Sequence, residues 1–257
     1  MRTVPALDRG LRILEFLASQ PKPVRVTKLI EELGIPRSAM YELLNTLSQH
    51  RMVIQSDTGE FSLGPANMML GGAYQSRIDF DVIAGEIARK LEQKIDETVQ
   101  VGRLDGRFVF YVAKAESSQR VRLISSIGAR LPAHCTALGK MLLAYLPEDR
   151  FETLFRDVVL ERLTNRSIND LSILRQQLNT VRNEDIAFEI SESNIDVYCM
   201  STPVRNSEGK VIAAISISLP VSRAVESHLH RLQNAIRQAS IEFSCRLGWS
   251  GAHQDYT

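Results

Sequence analysis

Between Ser38 and Gln49 the sequence sets Ser38, Tyr41, Glu42, Asn45 and Gln49 at i, i+3, i+4, i+7 and i+11, so on a helix all five emerge on one side. They carry hydroxyl, phenol, carboxylate and amide groups, the short hydrogen-bonding chemistry that reads base edges, and Arg37 beside them suits a phosphate or a guanine. A second set lies in the later half. Residues 128–140, GARLPAHCTALGK, read as a strand end, a turn and a helix start, and a helix N-terminus offers free N–H groups and positive potential to an anion. Glu189–Ser193, followed by Cys199-Met200-Ser201-Thr202-Pro203-Val204, reads as a loop leading into a strand that forms the opposite wall. Catalytic readings are weak. Cys135 beside His134 would suggest a nucleophile and base, but neighbours on a helix point apart and no group orients the pair. His228 and His230 cannot share a metal on a helix for the same reason. Cys199 reads as a small buried hydrophobe or as pocket lining, and Lys140 as a solvated or helix-capping lysine. No P-loop, GxSxG or HExxH is present, so no catalytic residue, metal ligand or cofactor is expected.

The first set needs a particular frame, and Val26–Val53 supplies it. Thr27 is the expected N-cap of a short helix with Leu29, Ile30 and Leu33 as its apolar stripe. Gly34 ends that helix in the left-handed conformation. Pro36 opens the next at its first position, and Met40, Leu43, Leu44 and Leu47 face a core. Any αα-hairpin gives two apolar stripes and a polar outside; the residues downstream of the second helix separate the readings. Arg51–Gln55 is a strand, Ser56-Asp57-Thr58-Gly59 a turn, and Glu60–Leu63 a second strand. A helix–turn–helix with a hairpin behind it is the winged variety, with Thr58 at the wing tip along the phosphates and Arg9, Arg25 and Thr27 placed for backbone contacts. Upstream, a helix from Leu7 to Ser19 carries Leu7, Leu11, Leu14 and Leu17 on its supporting side, and Pro21-Lys22-Pro23 breaks it.

The composition excludes little and bounds much. The chain has 257 residues, 44% hydrophobic and 24% charged, which is ordinary globular usage and room for two modest domains. Its net charge is +1, and residues 1–78 hold nine Lys and Arg against seven Asp and Glu. That surplus is a weak footprint for a nucleic-acid binder, so affinity must come from well-placed arginines and from two copies. Three cysteines without a CxxC suggest neither a disulfide framework nor a zinc site. No apolar run approaches the ~20 residues of a membrane span, and no signal peptide precedes the first helix; a cytoplasmic protein is expected.

After Leu63-Gly64-Pro65, Ala66–Arg77 is an apolar connector helix whose Gly71-Gly72 pair marks a bend or a close helix contact. The expected layout is a reading domain over 1–64, a linker helix over 65–79, an effector-type domain over 80–250 and a tail over 251–257. The later part is α+β in pattern. Helices are expected over Asp81–Asp96, His134–Tyr145, Leu171–Arg182 and Ser222–Leu247. Strands are expected over Thr98–Leu104 and Arg107–Lys114 around Asp105-Gly106, over Val121–Ile127, and over Tyr198–Arg205 and Lys210–Leu219. The helices should cover one side of an antiparallel sheet and leave room for a small cavity.

Taken together, ALDRGLRILEFL (6–17), the winged helix–turn–helix, GARLPAHCTALGKMLLAYLP (128–147) and CMSTPVRNSEGKVIAAISISLP (199–220) resemble the IclR family of bacterial transcription regulators, from about Ala6 to Leu247. The resemblance implies a winged helix–turn–helix joined by a linker helix to a GAF-like effector domain. It implies a dimer, or dimer of dimers, on double-stranded operator DNA, modulated by small organic acids or aromatics. By position it assigns the ligand's carboxylate to the helix start at Thr136, Ala137 and Leu138, and the facing wall to Glu189, Glu192, Cys199 and Ser201. The chain departs from the family pattern in places. Glu189 stands where Asp is usual, Asp185 and Asp196 where Gly is usual, and Ser191 and Ser193 where other residues are expected. Glu42 replaces a frequently basic residue. An acid at 189 repels a carboxylate but accepts from a hydroxyl, which points to a hydroxy- or oxo-acid.

The expectation is an effector-controlled repressor of a catabolic operon, reading DNA through Arg37, Ser38, Tyr41 and Asn45. Two other classes stand beside it: a cysteine-dependent enzyme on the second domain, and a helical adaptor that binds protein and no nucleic acid.

Overall fold

The computed structural model describes residues 3–75, 79–120, 127–128 and 130–251. The chain divides into two compact units, Met1–Ile78 and Asp79–Thr257. The first unit runs α1 (Pro5–Ala18), β1 (Val24–Arg25), α2 (Val26–Leu33), α3 (Arg37–Gln49), β2 (Val53–Gln55), β3 (Glu60–Leu63) and α4 (Ala66–Gln75). The strands form an antiparallel sheet of order β1-β3-β2, so the helix–turn–helix is winged. Its core joins Ile13, Leu17, Leu29, Ile35, Met40, Leu44, Val53 and Phe61, with Leu43 and Leu47 packed half-buried against it. Gly34 is left-handed at φ 63°, the conformation that turns α2 into α3 at no steric cost.

Several local expectations shift. Thr27 is not the N-cap: α2 begins at Val26 with Arg25 as N-cap and no side-chain cap. Pairing of Arg25 with Glu60 holds the chain extended up to that point, which leaves Thr27 exposed in the first turn. Pro36 is the N-cap of α3 rather than its first residue. The wing's first strand starts at Val53, because Arg51 turns left-handed at φ 56°. In α1 the buried stripe is Gly10, Ile13 and Leu17, while Leu7 and Leu11 are exposed, since that row lies roughly a quarter-turn round the helix. Gly71 and Gly72 stay helical, and a Cβ on either would meet nothing within 4 Å.

The second unit runs α5 (Phe80–Ile95), β4 (Thr98–Asp105), β5 (Phe108–Ala115), β6 (Arg130–Pro132), a 3-10 turn (Ala133–Cys135), α6 (Ala137–Ala144), α7 (Glu148–Phe155), α8 (Leu171–Glu184), β7 (Ala187–Ile190), β8 (Val197–Arg205), β9 (Val211–Pro220) and α9 (Glu226–Arg246). The six strands are antiparallel in the order β6-β5-β4-β9-β8-β7. Consecutive residues of β8 and β9 are buried, which requires cover on both faces. The helices therefore lie on both sides, not one. On one face are α5 and α9, tied by the Phe80–Phe243 ring contact at 5.3 Å and by Lys90 to Glu242 at 2.7 Å. On the other α6 lies over Gly102, and Arg182 of α8 donates to the Ala144 carbonyl at 2.7 Å.

The β4–β5 turn falls at Gly106-Arg107, one residue beyond the Asp-Gly pair, because Asp105 pairs with Phe108. His134 and Cys135 lie in the 3-10 turn and not in α6, since Thr136 caps that helix. The segment before α9 forms a second 3-10 turn over Val221–Arg223. The strand expected over Val121–Ile127 falls on 121–126, outside the described residues.

One glycine fixes the start of α6. A methyl on Gly139 would fall inside the Ala133 backbone carbonyl, where no flexible side chain can give way. Gly139→Ala should cost at least about 1–3 kcal/mol, read as a lowered urea midpoint of the second unit's transition with that of the first unchanged.

Candidate functional site

Two regions collect the residues whose chemistry is otherwise unaccounted for, one in each unit. In the first, Met40 and Leu44 seal one side of α3 while Ser38, Tyr41, Glu42, Asn45 and Gln49 are exposed on the other. Arg37 lies 5.9 Å over the Tyr41 ring, a cation–π contact that holds both at the helix start. Arg25 is exposed and lies 3.8 Å from Glu60, too long and too solvated to restrain it. Arg9 is half-buried. The wing turn is built from its own hydroxyls: Ser56 Oγ and Thr58 Oγ1 are 2.8 Å apart, and Thr58 also donates to Glu60 Oε2 at 3.3 Å. Thr58 thus shapes the wing tip as well as standing on it. Thr27, exposed within α2, lies on a different helix from the α3 stripe.

The second region lies beneath α6. Thr136 is its N-cap, its hydroxyl accepting from the Gly139 N–H at 3.0 Å. Ala137 and Leu138 are then the first helical residues, whose N–H groups have no acceptor within the helix. Under them the sheet turns polar. In register on one face stand Gln100 of β4, Ser216 and Ser218 of β9, Ser201 and Cys199 of β8 and Glu189 of β7. All are buried. Cys199 packs against Ala137, which brings the helix start and the polar row together.

Burial forces these groups to find partners. Ser218 donates to Gln100 Oε1 at 2.9 Å, Cys199 Sγ lies 3.2 Å from Ser218 Oγ, and Ser201 donates to the Ile215 carbonyl at 2.9 Å. Glu189 is 1% exposed. Its Oε1 accepts from the Glu192 and Ser193 N–H groups at 2.5 and 2.9 Å, while its Oε2 is buried without a partner. Glu189 lies in strand β7, not in the loop expected over 189–193; the loop begins at Ser191, which turns left-handed at φ 58°. Thr164 and Ser167 hold that loop by donating to the Ser191 and Glu192 carbonyls, each at 2.6 Å.

Lys140 overturns its expected role as a solvated lysine. It is 1% exposed, and its Nζ lies 2.5 Å from Glu192 Oε1 and 3.4 Å from the Phe188 carbonyl. A lysine on the inner side of a short helix cannot snorkel to water, so it carries its counter-ion inside. Burial raises the Glu192 carboxyl against the pull of Lys140. Burial likewise raises Glu189, opposed by the Ser193 N–H, the Cys199 thiol and the Glu192 N–H.

The polar row of Gln100, Ser216 and Ser218 was not foreseen from the sequence. Its signal was present as ISISL, a strand alternating serine with aliphatics whose second face turns out to be buried too. Neither Cys135 nor Cys199 has a nucleophilic setting. Burial pushes the Cys135 thiol up to about 12 and raises Cys199 well above the ordinary thiol value, and the His134 ring meets the Glu161 carbonyl at 2.9 Å rather than Cys135. Among the described residues no cluster of His, Cys, Asp and Glu could hold a metal, and no helix is long and apolar enough to cross a membrane.

Comparison with known proteins agrees with this division. Residues 6–57 match the IclR helix-turn-helix domain, and residues 72–245 match the bacterial transcriptional regulator IclR C-terminal domain. The chain is 30% identical over 250 residues to the HTH-type transcriptional regulator XynR of Escherichia coli K12, covering 97% of this chain and 99% of that protein. It is 30% identical over 244 residues to the HTH-type transcriptional repressor AllR of Salmonella typhimurium, covering 95% and 90%. Among solved structures, the Agrobacterium tumefaciens repressor BlcR superposes with a TM-score of 0.82 at 28% identity, covering 97% of this chain and 99% of that one.

The buried charges give two expected outcomes. Lys140→Met strands Glu192 and should cost about 3–5 kcal/mol by urea denaturation, and adding Glu192→Gln should return much of the loss; an additive pair would mean the two do not interact. The folded Glu189 carboxyl lies above its ordinary value of 4.5. Its stabilising contribution is therefore present below that value and lost as pH rises through the folded value. Melting temperatures across pH 4.5–8 should show the wild type falling relative to Glu189→Gln as pH rises.

Proposed function

The chain belongs to the IclR family of bacterial transcriptional regulators, and on that premise we propose which of its surfaces regulate and how. As a member it is a DNA-binding transcriptional regulator with an effector-binding C-terminal domain. In our reading residues 1–64 read DNA, 65–79 link, and 80–250 bind the effector. Two copies, as a dimer or a dimer of dimers, place two α3 helices about one turn of DNA apart over a pseudo-palindrome. The protein acts as a repressor of a catabolic operon, working in the cytoplasm where its operator lies.

The observation that carries the DNA reading is the split character of α3: one side closed by Met40 and Leu44, the other a stripe of exposed hydrogen-bonding side chains. Arg37, Ser38, Tyr41 and Asn45 reach base edges, and Arg9, Arg25, Thr27 and Thr58 steady the phosphates. Counter-ion release then supplies most of the affinity, and the base contacts supply the choice of site.

The effector sits at the start of α6. Its carboxylate takes the N–H groups of Ala137 and Leu138 beside Thr136, and its other end meets Glu189, Cys199 and Ser201. Support comes from Glu189 Oε2, a buried oxygen met by no N–H or O–H group and with only the weak donor Cys199 as a neighbouring side chain. A short hydroxy- or oxo-acid supplies both an anion for the helix start and an oxygen function for Glu189. Its binding favours one arrangement of the paired readers over another.

Genome-wide mapping of bound sites would name the operator. On that duplex, fluorescence anisotropy should show affinity falling steeply with salt, and Arg37→Ala and Tyr41→Ala should each weaken binding by about 1–3 kcal/mol. Unchanged affinity in both variants would mean that the wrong face has been chosen.

A further inference from the structure

We infer that Glu42 is a base-reading residue whose carboxylate accepts a hydrogen bond from a cytosine amino group in the major groove, so that each half-site carries a C·G pair at that register. This rests on the proposal that α3 lies in the groove. The residue sits in the middle of the helix, between Ser38 and Asn45 on the exposed stripe and opposite the buried Met40 and Leu44. Its backbone carbonyl accepts from Thr46 Oγ1 at 2.9 Å, but among the described residues no donor or cation meets its carboxylate. The neighbouring Arg37 lies over Tyr41, and Glu60 in the wing faces Arg25. Glu42 alone on the reading stripe carries an unneutralised negative charge.

Such a charge is costly against a polyanion, more so in a unit whose basic surplus is only two. Position decides whether the cost is met. Glu42 lies within the stripe proposed to face the bases, between Ser38 and Asn45 and opposite the buried side, so it points at the floor of a groove about 12 Å wide rather than at either strand. A carboxylate offers acceptors only, and the floor offers two donors. Adenine N6 stands beside the acceptor N7, which repels a carboxylate and suits an amide such as Asn45. Cytosine N4 has no acceptor beside it on its own base. The one place where the Glu42 charge is an asset is therefore over a cytosine.

Binding-site selection from a random duplex pool tests this with the full chain, as wild type, Glu42→Ala and Glu42→Gln. The residue is exposed, so both variants should keep the wild-type circular dichroism and melting temperature. The wild-type consensus should hold C·G at one position in each half-site, and Glu42→Ala should lose preference there while keeping the rest. In a double-mutant cycle, changing that pair to T·A should weaken the wild type about 5- to 150-fold and Glu42→Ala hardly at all. An identical consensus for Glu42→Ala with uniformly tighter binding would show that Glu42 only repels phosphate, and would overturn the inference. No enrichment by the wild type would bring down the DNA-reading proposal as well.

Discussion

A charge taken out of water needs a partner of opposite sign or a ring of hydrogen bonds, and the second unit is arranged around that requirement. Lys140 enters the interior because α6 is short and covered, and Glu192 is delivered to it by a loop held at Thr164 and Ser167. That loop's own N–H groups occupy one oxygen of Glu189. One ion pair, one loop and one helix start are thus a single mechanical unit. The rule is met only in part: the second oxygens of both Glu189 and Glu192 are buried without a hydrogen-bond partner. These unmet demands lie beside a helix start, which is what recommends the region for the proposed effector.

The reading unit meets a simpler constraint by division. Three short helices and a small sheet can bury only one side of α3, so Met40 and Leu44 anchor it and the other side is free to vary without cost to the fold. The residues that hold the fold are then distinct from those proposed to choose the site. This is how a common fold can read many sequences. It also places a small basic surplus with care, because backbone pairing with Glu60 and the start of α3 set where the Arg25 and Arg37 side chains leave the chain.

Much of this was legible in the sequence because its signals are local. Gly34 and the turn at Ser56–Gly59 mark the chain reversals of the reading unit, and the spacing of Met40 and Leu44 marks its inward side. Likewise the helix expected over Asp81–Asp96 is α5, whose buried Ile83, Ile87, Leu91 and Ile95 recur at helical spacing. What was missed depends on tertiary cover. The one-sided sheet was wrong because alternation in ISISL looks like a half-exposed strand, whereas both faces of β9 are buried and the serines are satisfied by Gln100. Lys140 was misread for the same reason: only the cover over α6 distinguishes it from a surface lysine. Thr27 lost its capping role to a pairing between Arg25 and Glu60, partners far apart in the chain.

The two acids that the family resemblance sets against glycine, Asp185 and Asp196, show how such positions settle. Asp185 and Asp196 both adopt left-handed backbone, at φ 53° and 62°, which Asp tolerates better than most residues yet less well than glycine. At Asp185 the side chain compensates: it receives two hydrogen bonds from Arg205, at 2.9 and 3.0 Å, and one from Tyr145. Those contacts tie the end of α8 to β8 and to the end of α6. A glycine would bend the chain as well but would leave Arg205 and Tyr145 without that anchor. The substitution therefore exchanges a little backbone strain for a clamp on the far end of the helix whose near end faces Glu189. That clamp fixes one end of α6 through side chains while Thr136 caps the other, so both ends of the helix proposed to meet the effector are held.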